Sequence, residues 1–236
     1  MRVKLPQIEI EYPAENKKTA HQGENFFIVS GGRAPKIDWA KAAAANRKVW
    51  AVDKGADFCR DACLPPEKLI GDADSASEDA WSWAAKRAAV QKFPRKKDLT
   101  DTQIALKNLD ETEAQTAVMS GIFGGRADHL YSTIFSAAYA KTTCVLADEG
   151  EVIFFAKNGR QIRAEFSELP TAVSLLPITE ECIGVSMNNM VWSLDSVTLT
   201  QKFPCAVSNE LQENKTDFRV KTDVGILAVY AVFAPW

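Results

Sequence analysis

Two aspartates that lie two residues apart, Asp72 and Asp74, are the first residues whose spacing could support chemistry. They follow a short apolar run, Lys68–Ile70, and in extended chain residues i and i+2 point to the same side. Two such carboxylates repel each other unless a cation lies between them, and Mg²⁺, which prefers oxygen ligands, suits that place beside phosphates. A turn that begins a helix is the alternative, because Ser75 and Glu78 match the S-x-x-E pattern of a capping box.

A second cluster combines acids with a lysine and contains Lys97, Asp98, Thr100 and Asp101. Thr100 and Gln103 match another capping box, which predicts that a helix begins at Asp101. A cap needs only one of these side chains, so the two aspartates and the lysine are surplus to it. Backbone N–H groups at a helix start can bind phosphate while acids hold a metal ion, so the surplus favours a functional interpretation.

Glycine-rich turns form a third group of candidates. In the segment Gly121–His129, Gly125 lets the backbone approach a ligand closely, and Arg126 offers a planar fork of donors that suits phosphate oxygens. Two weaker turns, which contain Gly31 and Asp53, follow the first two apolar runs and could line the same edge. A glycine turn capped by the aspartate that follows it would explain the longer segment without a ligand.

The elements that must position these clusters alternate between strand-like and helical patterns. Such alternation predicts an α/β fold with a mostly parallel sheet flanked by helices, and ligands bind at the carboxyl ends of its strands. Because every cluster follows a predicted strand, we expect four carboxylates, Lys97 and Arg126 to form one phosphate-and-metal site. The strand-like runs are Phe26–Ser30, Val49–Asp53, Lys68–Asp72, Val90–Phe93, Thr116–Phe123 and Thr143–Ala147, and the helical patterns are Lys36–Asn46, Ala56–Cys63, Ser77–Ala89, Asp101–Leu109 and His129–Lys141.

From residue 150 onward the sequence contains strand-like runs and no convincing helix. Turn residues such as Asn158-Gly159 separate the runs at hairpin distances, which predicts an antiparallel sandwich or barrel. We therefore expect an N-terminal extension at 1–25, in which Val3–Tyr12 could add an edge strand, an α/β domain at 26–149 and an all-β domain at 150–236. The runs are Val152–Ala156, Gln161–Phe166, Ala172–Leu176, Ile183–Met187, Val191–Leu199, Phe218–Val220 and Ile226–Phe233.

Composition limits the classes of function. The 236 residues include 28 Lys and Arg against 31 Asp and Glu, so a net charge of −3 offers no basic field for nucleic acid. Two histidines are too few for a His-rich zinc site, and five cysteines without a C-x-x-C spacing are expected to be reduced. The longest apolar run, Val224–Trp236, is too short to span a bilayer, and the polar first 25 residues contain no secretory signal, so we expect no membrane partner and a cytoplasmic location.

Taken in order, the three clusters resemble the motifs of the thiamine pyrophosphokinase family, whose members carry G-D-x-D-S, K-D-x-T-D and G-G-R-x-D-H segments. Here the segments are Gly71–Ser75, Lys97–Asp101 and Gly124–His129, and the resemblance spans residues 26–236. It implies a Rossmann-like catalytic domain that binds ATP and Mg²⁺, followed by a β-sandwich that helps to bind thiamine. It also implies a homodimer with active sites at the subunit interface.

The resemblance further implies roles for individual residues. The metal-binding and catalytic candidates, which would surround Mg²⁺ and the phosphates of ATP, are Asp72, Asp74, Asp98 and Asp101. The candidates for ATP and phosphate binding are Gly31, Asp53, Lys97, Thr100, Gly125, Arg126, Asp128 and His129. Trp192 and Leu194 resemble the family's thiamine-binding strand, and Ser208 and Asn209 resemble its S-N-E turn.

Two features of the thiamine side and one of the nucleotide side need interpretation. The aromatic face of Trp192 suits a flat, positively charged heterocycle, whereas packing between sheets is the alternative for this side chain. The segment Asn189–Leu194 departs from the family pattern, as does Lys54, which stands where a second glycine is usual in a D-G-G-A segment. The lysine could crowd the nucleotide or add a phosphate contact.

The predicted reaction is Mg²⁺-dependent transfer of the diphosphate of ATP to the hydroxyl of thiamine, giving thiamine diphosphate and AMP. Asp98 or Asp101 is the candidate proton acceptor. A pyrophosphoryl transferase for another alcohol, such as a pterin, would need the same acids but not Trp192 and Ser208. A non-catalytic nucleotide- or vitamin-sensing module is the third hypothesis, and the four acids argue against it because binding alone does not need so many.

Overall fold

The computed structural model describes residues 1–13, 23–112 and 114–233. The contacts between these residues divide them into an α/β unit, residues 23–148, and a β unit, residues 1–13 together with 149–233. The described helices are all too short or too polar to cross a membrane. In chain order the elements are β1 (Arg2–Lys4), β2 (Ile8–Glu11), β3 (Asn25–Val29), α1 (Ile37–Ala44), β4 (Lys48–Val52), α2 (Gly55–Asp61), β5 (Lys68–Gly71), α3 (Glu78–Ala85), β6 (Ala89–Lys92), α4 (Asp101–Glu111), β7 (Thr116–Ser120), α5 (Ala127–Tyr139), β8 (Thr143–Ala147), β9 (Glu151–Lys157), β10 (Ile162–Phe166), β11 (Ala172–Pro177), β12 (Glu181–Met187), β13 (Leu194–Thr200), β14 (Asp217–Lys221) and β15 (Ile226–Val232).

The α/β unit contains a parallel sheet with the strand order β8-β7-β3-β4-β5-β6. Its central strands are mostly apolar, and every residue of β7 is buried, as expected for parallel strands covered on both faces. The chain runs from β3 outward to β6 and then returns to the other side of β3 at β7. The order therefore reverses between β3 and β7, which is where open α/β sheets bind their ligands. This sheet confirms the predicted fold class for the first part of the chain.

Helix α4 begins as the sequence predicts. The Thr100 hydroxyl accepts a hydrogen bond from the Gln103 backbone N–H, and the Gln103 side chain accepts one from the Thr100 N–H. This reciprocal pair satisfies two of the backbone donors that a helix start leaves free. The loop that precedes α4 is thereby held at the carboxyl end of the sheet.

Helix α3 begins two residues later than the predicted capping box. Its N-cap is Ser77, whose hydroxyl accepts a hydrogen bond from the Ala80 N–H. Ser75 cannot fill this role because the chain before it turns: the Asp72 carboxylate accepts a hydrogen bond from the Asp74 N–H, and Ala73 has a φ of +69°. The prediction that Ser75 and Glu78 form the box is wrong.

The strands of the β unit all pair antiparallel with each other, which confirms the predicted all-β second part. One sheet has the order β1-β2-β10-β14-β12-β13, and the strands β11, β15 and β9 pair with each other in that order. Phe166 packs against Phe218 at 5.6 Å and against Phe233 at 6.0 Å between ring centroids, which joins side chains from both sets of strands in one core.

Residues 1–13 form two strands rather than the single edge strand predicted from Val3 to Tyr12. Pro6 interrupts the run, and the Leu5 N–H bonds to the Ile8 carbonyl in a tight turn, so that β1 folds back on β2. Strand β2 then pairs with β10, and Ile8 and Ile10 are fully buried. The part of residues 1–25 that precedes Ala14 thus belongs to the core of the β unit.

The predicted strand Val191–Leu199 is shorter in the structure, where β13 begins at Leu194. The Asn209 side chain forms the hydrogen bonds with Trp192 that a neighbouring strand would otherwise form. Its Oδ1 accepts a hydrogen bond from the Trp192 N–H at 3.1 Å, and its Nδ2 donates one to the Trp192 carbonyl at 2.8 Å. Trp192 therefore lies in a turn and not in a strand. This contact joins residues far apart in sequence, so a local pattern could not predict it.

Candidate functional site

A cavity of about 620 Å³ lies at the carboxyl ends of the parallel strands in the α/β unit. Its volume is within the range of sites for small organic ligands. The turns after β3, β4, β5, β6 and β7 all contribute to its lining. The predicted residues that line it are Gly31, Asp53, Asp72, Asp74, Lys97, Asp98, Thr100, Asp101, Gly125, Arg126 and His129, so of the candidates in this unit only Asp128 stands outside the lining.

Two carboxylates meet around the ammonium group of Lys97, and a third lies beside them. Lys97 Nζ lies 2.8 Å from Asp101 Oδ2 and 3.4 Å from Asp72 Oδ2. The Asp53 carboxylate lies next to this pair and accepts a hydrogen bond from the Asp72 N–H at 3.3 Å. The side chains of Asp72, Lys97 and Asp101 are each less than 15% exposed, so bulk water screens their interactions only in part.

The crowding of these acids changes their ionisation. Burial, together with the negative charges of Asp101 and Asp72, raises the pKa of Asp53 to about 7. Burial also opposes ionisation of Asp72, but hydrogen bonds from the Asp74 N–H and from Lys97 outweigh it and lower the pKa of Asp72. Sequence reasoning placed Asp53 among the phosphate contacts and missed that it belongs to the acid cluster.

The cluster suits a hard divalent cation. The Oδ1 atom of Asp101 is buried and has no hydrogen-bond partner among the residues that the structure describes, so it is a free oxygen ligand. Among the same described residues, no group of three or more Asp, Glu, Cys or His side chains is placed so that it could bind a metal ion without other ligands. Mg²⁺ usually takes one or two carboxylates, with waters and substrate phosphates completing its shell, so Asp72 and Asp101 beside a bound phosphate fit this ion.

Asp74 and Asp98 line the same cavity, and the Asp74 N–H donates a hydrogen bond to the Asp72 carboxylate. Asp74 pairs with Arg95, whose Nε lies 3.1 Å from the carboxylate Oδ2. Arg95 was not predicted from the sequence, although its place two residues before Lys97 puts it on the same loop. The β5–α3 and β6–α4 loops are therefore joined by an ion pair at the cavity.

Two glycine turns form the opposite wall of the cavity. The Gly32 N–H donates to the Gly121 carbonyl and the Arg33 N–H donates to the Phe123 carbonyl, each at 2.6 Å. A Cβ atom at Gly32 would lie 2.6 Å from the Gly121 carbonyl oxygen, so only glycine allows this close approach. The turns after β3 and β7 are thus held against each other at the point where the strand order reverses.

An ion pair missed by the sequence analysis anchors this wall. The Arg33 guanidinium donates two hydrogen bonds to Asp148 Oδ2, from Nη2 at 2.6 Å and from Nε at 3.0 Å, and Asp148 is only 1% exposed. The partners are 115 residues apart in sequence, so no local pattern indicated their contact.

Arg126 and Asp128 pair with each other at the start of α5. Arg126 Nη2 lies 2.5 Å from Asp128 Oδ2, and both side chains are well exposed. The N-cap of α5 is Arg126 without a side-chain hydrogen bond, so Asp128 does not cap this helix and the interpretation of the turn as an aspartate-capped helix start is wrong. The Asp128 carboxylate instead holds the guanidinium, which lines the cavity together with His129.

The thiamine candidates all lie in the β unit. Trp192 is 62% exposed, so the alternative of packing between sheets is excluded. Asn209 is buried, and its side chain accepts a hydrogen bond from the N–H of Trp192 and donates one to the Trp192 carbonyl. It therefore fixes the backbone that carries the indole and has little capacity left for a ligand. Ser208 has a φ of +55° and is exposed, and Leu194 is half-buried at the start of β13.

Comparisons with known proteins match this chain to one family. The family model described as "Thiamin pyrophosphokinase, catalytic domain" matches residues 39–147, and "Thiamin pyrophosphokinase, vitamin B1 binding domain" matches residues 160–227. A thiamine pyrophosphokinase of Bacillus subtilis is 27% identical over 196 residues, which are 81% of this chain and 91% of that protein.

Solved structures agree in fold. The thiamine pyrophosphokinase structure from Bacillus subtilis superposes with a TM-score of 0.77 at 24% identity, covering 90% of this chain and all of that one. The thiamin pyrophosphokinase from Candida albicans gives a TM-score of 0.73 at 14% identity, with 90% of each chain covered. The similarity to these structures concerns the fold, which is shared over nearly the whole chain.

Proposed function

Because the chain belongs to the thiamin pyrophosphokinase family, and is therefore a transferase that makes thiamine diphosphate, we propose that the cavity of the α/β unit binds ATP with Mg²⁺. The observation that carries the proposal is the cluster of Asp53, Asp72 and Asp101, the last two paired with Lys97, at the reversal point of the parallel sheet. Acids that served only as helix caps would not gather from three separate loops.

In the proposed reaction the hydroxyethyl oxygen of thiamine attacks the β-phosphorus of ATP in line, the bond from that phosphorus to the α-phosphate oxygen breaks, and AMP leaves. Asp72 and Asp101 would hold Mg²⁺, which neutralises charge on the phosphate oxygens when it is bound. Arg126, exposed and held by Asp128, offers its remaining donors to those oxygens.

Asp98 is the better candidate of the two proton acceptors. Asp101 is engaged by Lys97, whereas the Asp98 carboxylate lines the cavity without an ion-pair partner in the described ranges of the chain. A phosphoryl-transfer transition state needs positioning and charge stabilisation more than a strong base, so a carboxylate suffices for this role.

We propose that the β unit binds thiamine through Trp192, with Asn209 as the residue that positions it. An exposed indole face attracts a flat cation, and the two hydrogen bonds from Asn209 fix the backbone from which the indole projects. The proposal includes the homodimer that the sequence resemblance implies. Light scattering of the purified protein tests this point, and twice the mass of one chain is the expected result.

The test of the function is release of AMP from ATP with and without thiamine. We expect AMP only when both thiamine and Mg²⁺ are present, with thiamine diphosphate as the second product. AMP release with a pterin or another alcohol in place of thiamine would favour the second hypothesis, and no AMP with any acceptor would favour the sensing module.

Two substitutions test the residues. Asp72→Asn should lower kcat by about 100-fold or more, because it removes a charge that holds the metal ion. Asp98→Asn should lower kcat with little change in the KM for ATP. Melting temperature serves as the control for folding, since both side chains lie on loops. Near-native turnover in both variants would remove the metal and base assignments.

A further inference from the structure

Lys54 differs from the other cations on the cavity wall. Four cationic side chains line the cavity, and three of them, Arg95, Lys97 and Arg126, are paired with aspartates at 2.5 to 3.4 Å. Within the described ranges Lys54 alone among them has no side-chain hydrogen bond or ion pair, and it is exposed. A charged group that no acid engages is available to an anionic ligand.

The backbone fixes the place of this lysine. A Cβ atom at Gly55 would lie 1.9 Å from the Val29 carbonyl oxygen, so the start of α2 is packed tightly against the end of β3. A Cβ atom at Gly31 would lie 2.9 Å from the Cβ of Lys54, so the lysine stem already occupies the space beside that glycine. The stem therefore starts on the wall formed by the first glycine turn, next to Asp53.

The charges that line the cavity make the position of Lys54 favourable for binding an anion. The lining contains five aspartates, Asp53, Asp72, Asp74, Asp98 and Asp101, against four cations, three of which are already engaged by acids. A polyphosphate that enters would meet carboxylates on most sides, and a divalent cation offsets only part of that charge. The free ammonium of Lys54 is the group best able to compensate the remainder.

We propose that Lys54 binds the phosphate chain of the nucleotide and so helps to set the affinity for it. This inference rests on the proposed function for the identity of the ligand, but it concerns binding and not turnover. The ammonium acts as a mobile point charge on a flexible stem, which can follow the phosphates as they change position. It takes no part in bond formation or cleavage.

The experiment measures binding of ATP, inorganic tripolyphosphate and adenosine by calorimetry, with Mg²⁺ and without thiamine. The variants are Lys54→Ala and Lys54→Arg, with Lys41→Ala as the matched control, since Lys41 is an exposed lysine of α1 outside the cavity. In Lys54→Ala the loss of one charged contact should weaken the binding affinity for ATP and for tripolyphosphate by about tenfold. In Lys54→Arg the affinities for ATP and tripolyphosphate should stay within about threefold of the wild type. Adenosine should bind all variants with the wild-type affinity, and Lys41→Ala should bind all three ligands as the wild type does.

Two results would overturn the inference. Unchanged or tighter ATP binding in Lys54→Ala would show that the lysine is idle or crowds the nucleotide. Equal weakening of ATP and adenosine, with tripolyphosphate unaffected, would show that it contacts the base or the sugar. Failure of thiamine-dependent AMP release in the wild-type enzyme would refute the proposed function separately, because these binding measurements do not require turnover.

Discussion

At the scale of single residues, the α/β unit keeps side chains that disfavour its own stability. Burial, together with the charges of Asp101 and Asp72, raises the pKa of Asp53 to about 7, and Asp101 keeps a buried oxygen without a hydrogen-bond partner among the described residues. A fold selected only for stability would replace such a group with an apolar or neutral residue, because crowded carboxylates repel each other and a buried oxygen without a hydrogen-bond partner costs free energy. The arrangement makes sense when a cation and a phosphate complete it.

Trp192 allows a sharp test at this scale. Trp192→Ala should raise the KM for thiamine by about tenfold, because a cation over an indole face contributes on the order of 1–2 kcal/mol when partly desolvated. Trp192→Phe, which keeps an aromatic face, should lose less. The KM for ATP should not change in either variant. The measurement is steady-state kinetics with each substrate varied in turn.

The exposure of Trp192 supplies the control. A side chain that is 62% exposed contributes little to packing, so the melting temperature of Trp192→Ala should stay within about 2 °C of the wild type. A large drop in melting temperature together with equal changes in both KM values would instead assign the indole a structural role.

At the scale of elements, the loops that carry the site are fixed by how their helices begin. Thr100 and Gln103 cap α4, and Ser77 caps α3 while also bonding to the Asp57 carboxylate. Each cap satisfies backbone donors that would otherwise be free, and each lies only a few residues from an aspartate of the site.

The assignment of Ser77, and not Ser75, as the N-cap of α3 can be tested by replacing each serine with alanine. Ser77→Ala should lower the free energy of unfolding by about 1 kcal/mol, because it removes the oxygen that accepts from the Ala80 N–H. Ser75→Ala should leave the free energy of unfolding unchanged. Urea denaturation of both variants measures the difference. A larger loss of unfolding free energy in Ser75→Ala than in Ser77→Ala would show that the capping box of Ser75 and Glu78 forms after all.

The same local sequence pattern predicted the strands of the α/β unit and the cavity at their ends. Buried parallel strands such as β3 are mostly apolar runs, and the acids and glycines follow them, so the order of residues determines which edge they share. The prediction failed where distant residues decide local structure. Asn209 converts the start of a predicted strand into the turn at Trp192, and Asp148 joins Arg33, and neither contact leaves a periodic signal in the sequence.

At the scale of the whole molecule, the N-terminal strands belong to the β unit although the α/β unit separates them from it in sequence. Strand β2 pairs with β10 over the register Ile8 to Glu11, and Val3, Ile8 and Ile10 contribute fully buried side chains. Their burial contributes roughly 1.5–3 kcal/mol per large apolar side chain.

Deletion of residues 1–12 should therefore destabilise the β unit by several kcal/mol and expose the edge of β10. An unpaired strand edge promotes association between chains, so we expect a lower melting temperature and larger particles by size-exclusion chromatography. Arg2→Ala, which removes an exposed side chain from β1, is the matched control and should behave as the wild type. A truncated protein that is monodisperse and melts normally would show that β1 and β2 are dispensable.

This pairing also has a consequence for synthesis. As the chain leaves the ribosome, β2 appears early, but its neighbour β10 emerges only after the entire α/β unit has been translated. At roughly 5–20 residues per second, roughly 8 to 30 seconds pass between the synthesis of β2 and that of β10, and during this time Ile8 and Ile10 lack their partner strand. Until β10 has been made, the nascent segment therefore lacks the pairing that buries its isoleucines in the folded chain.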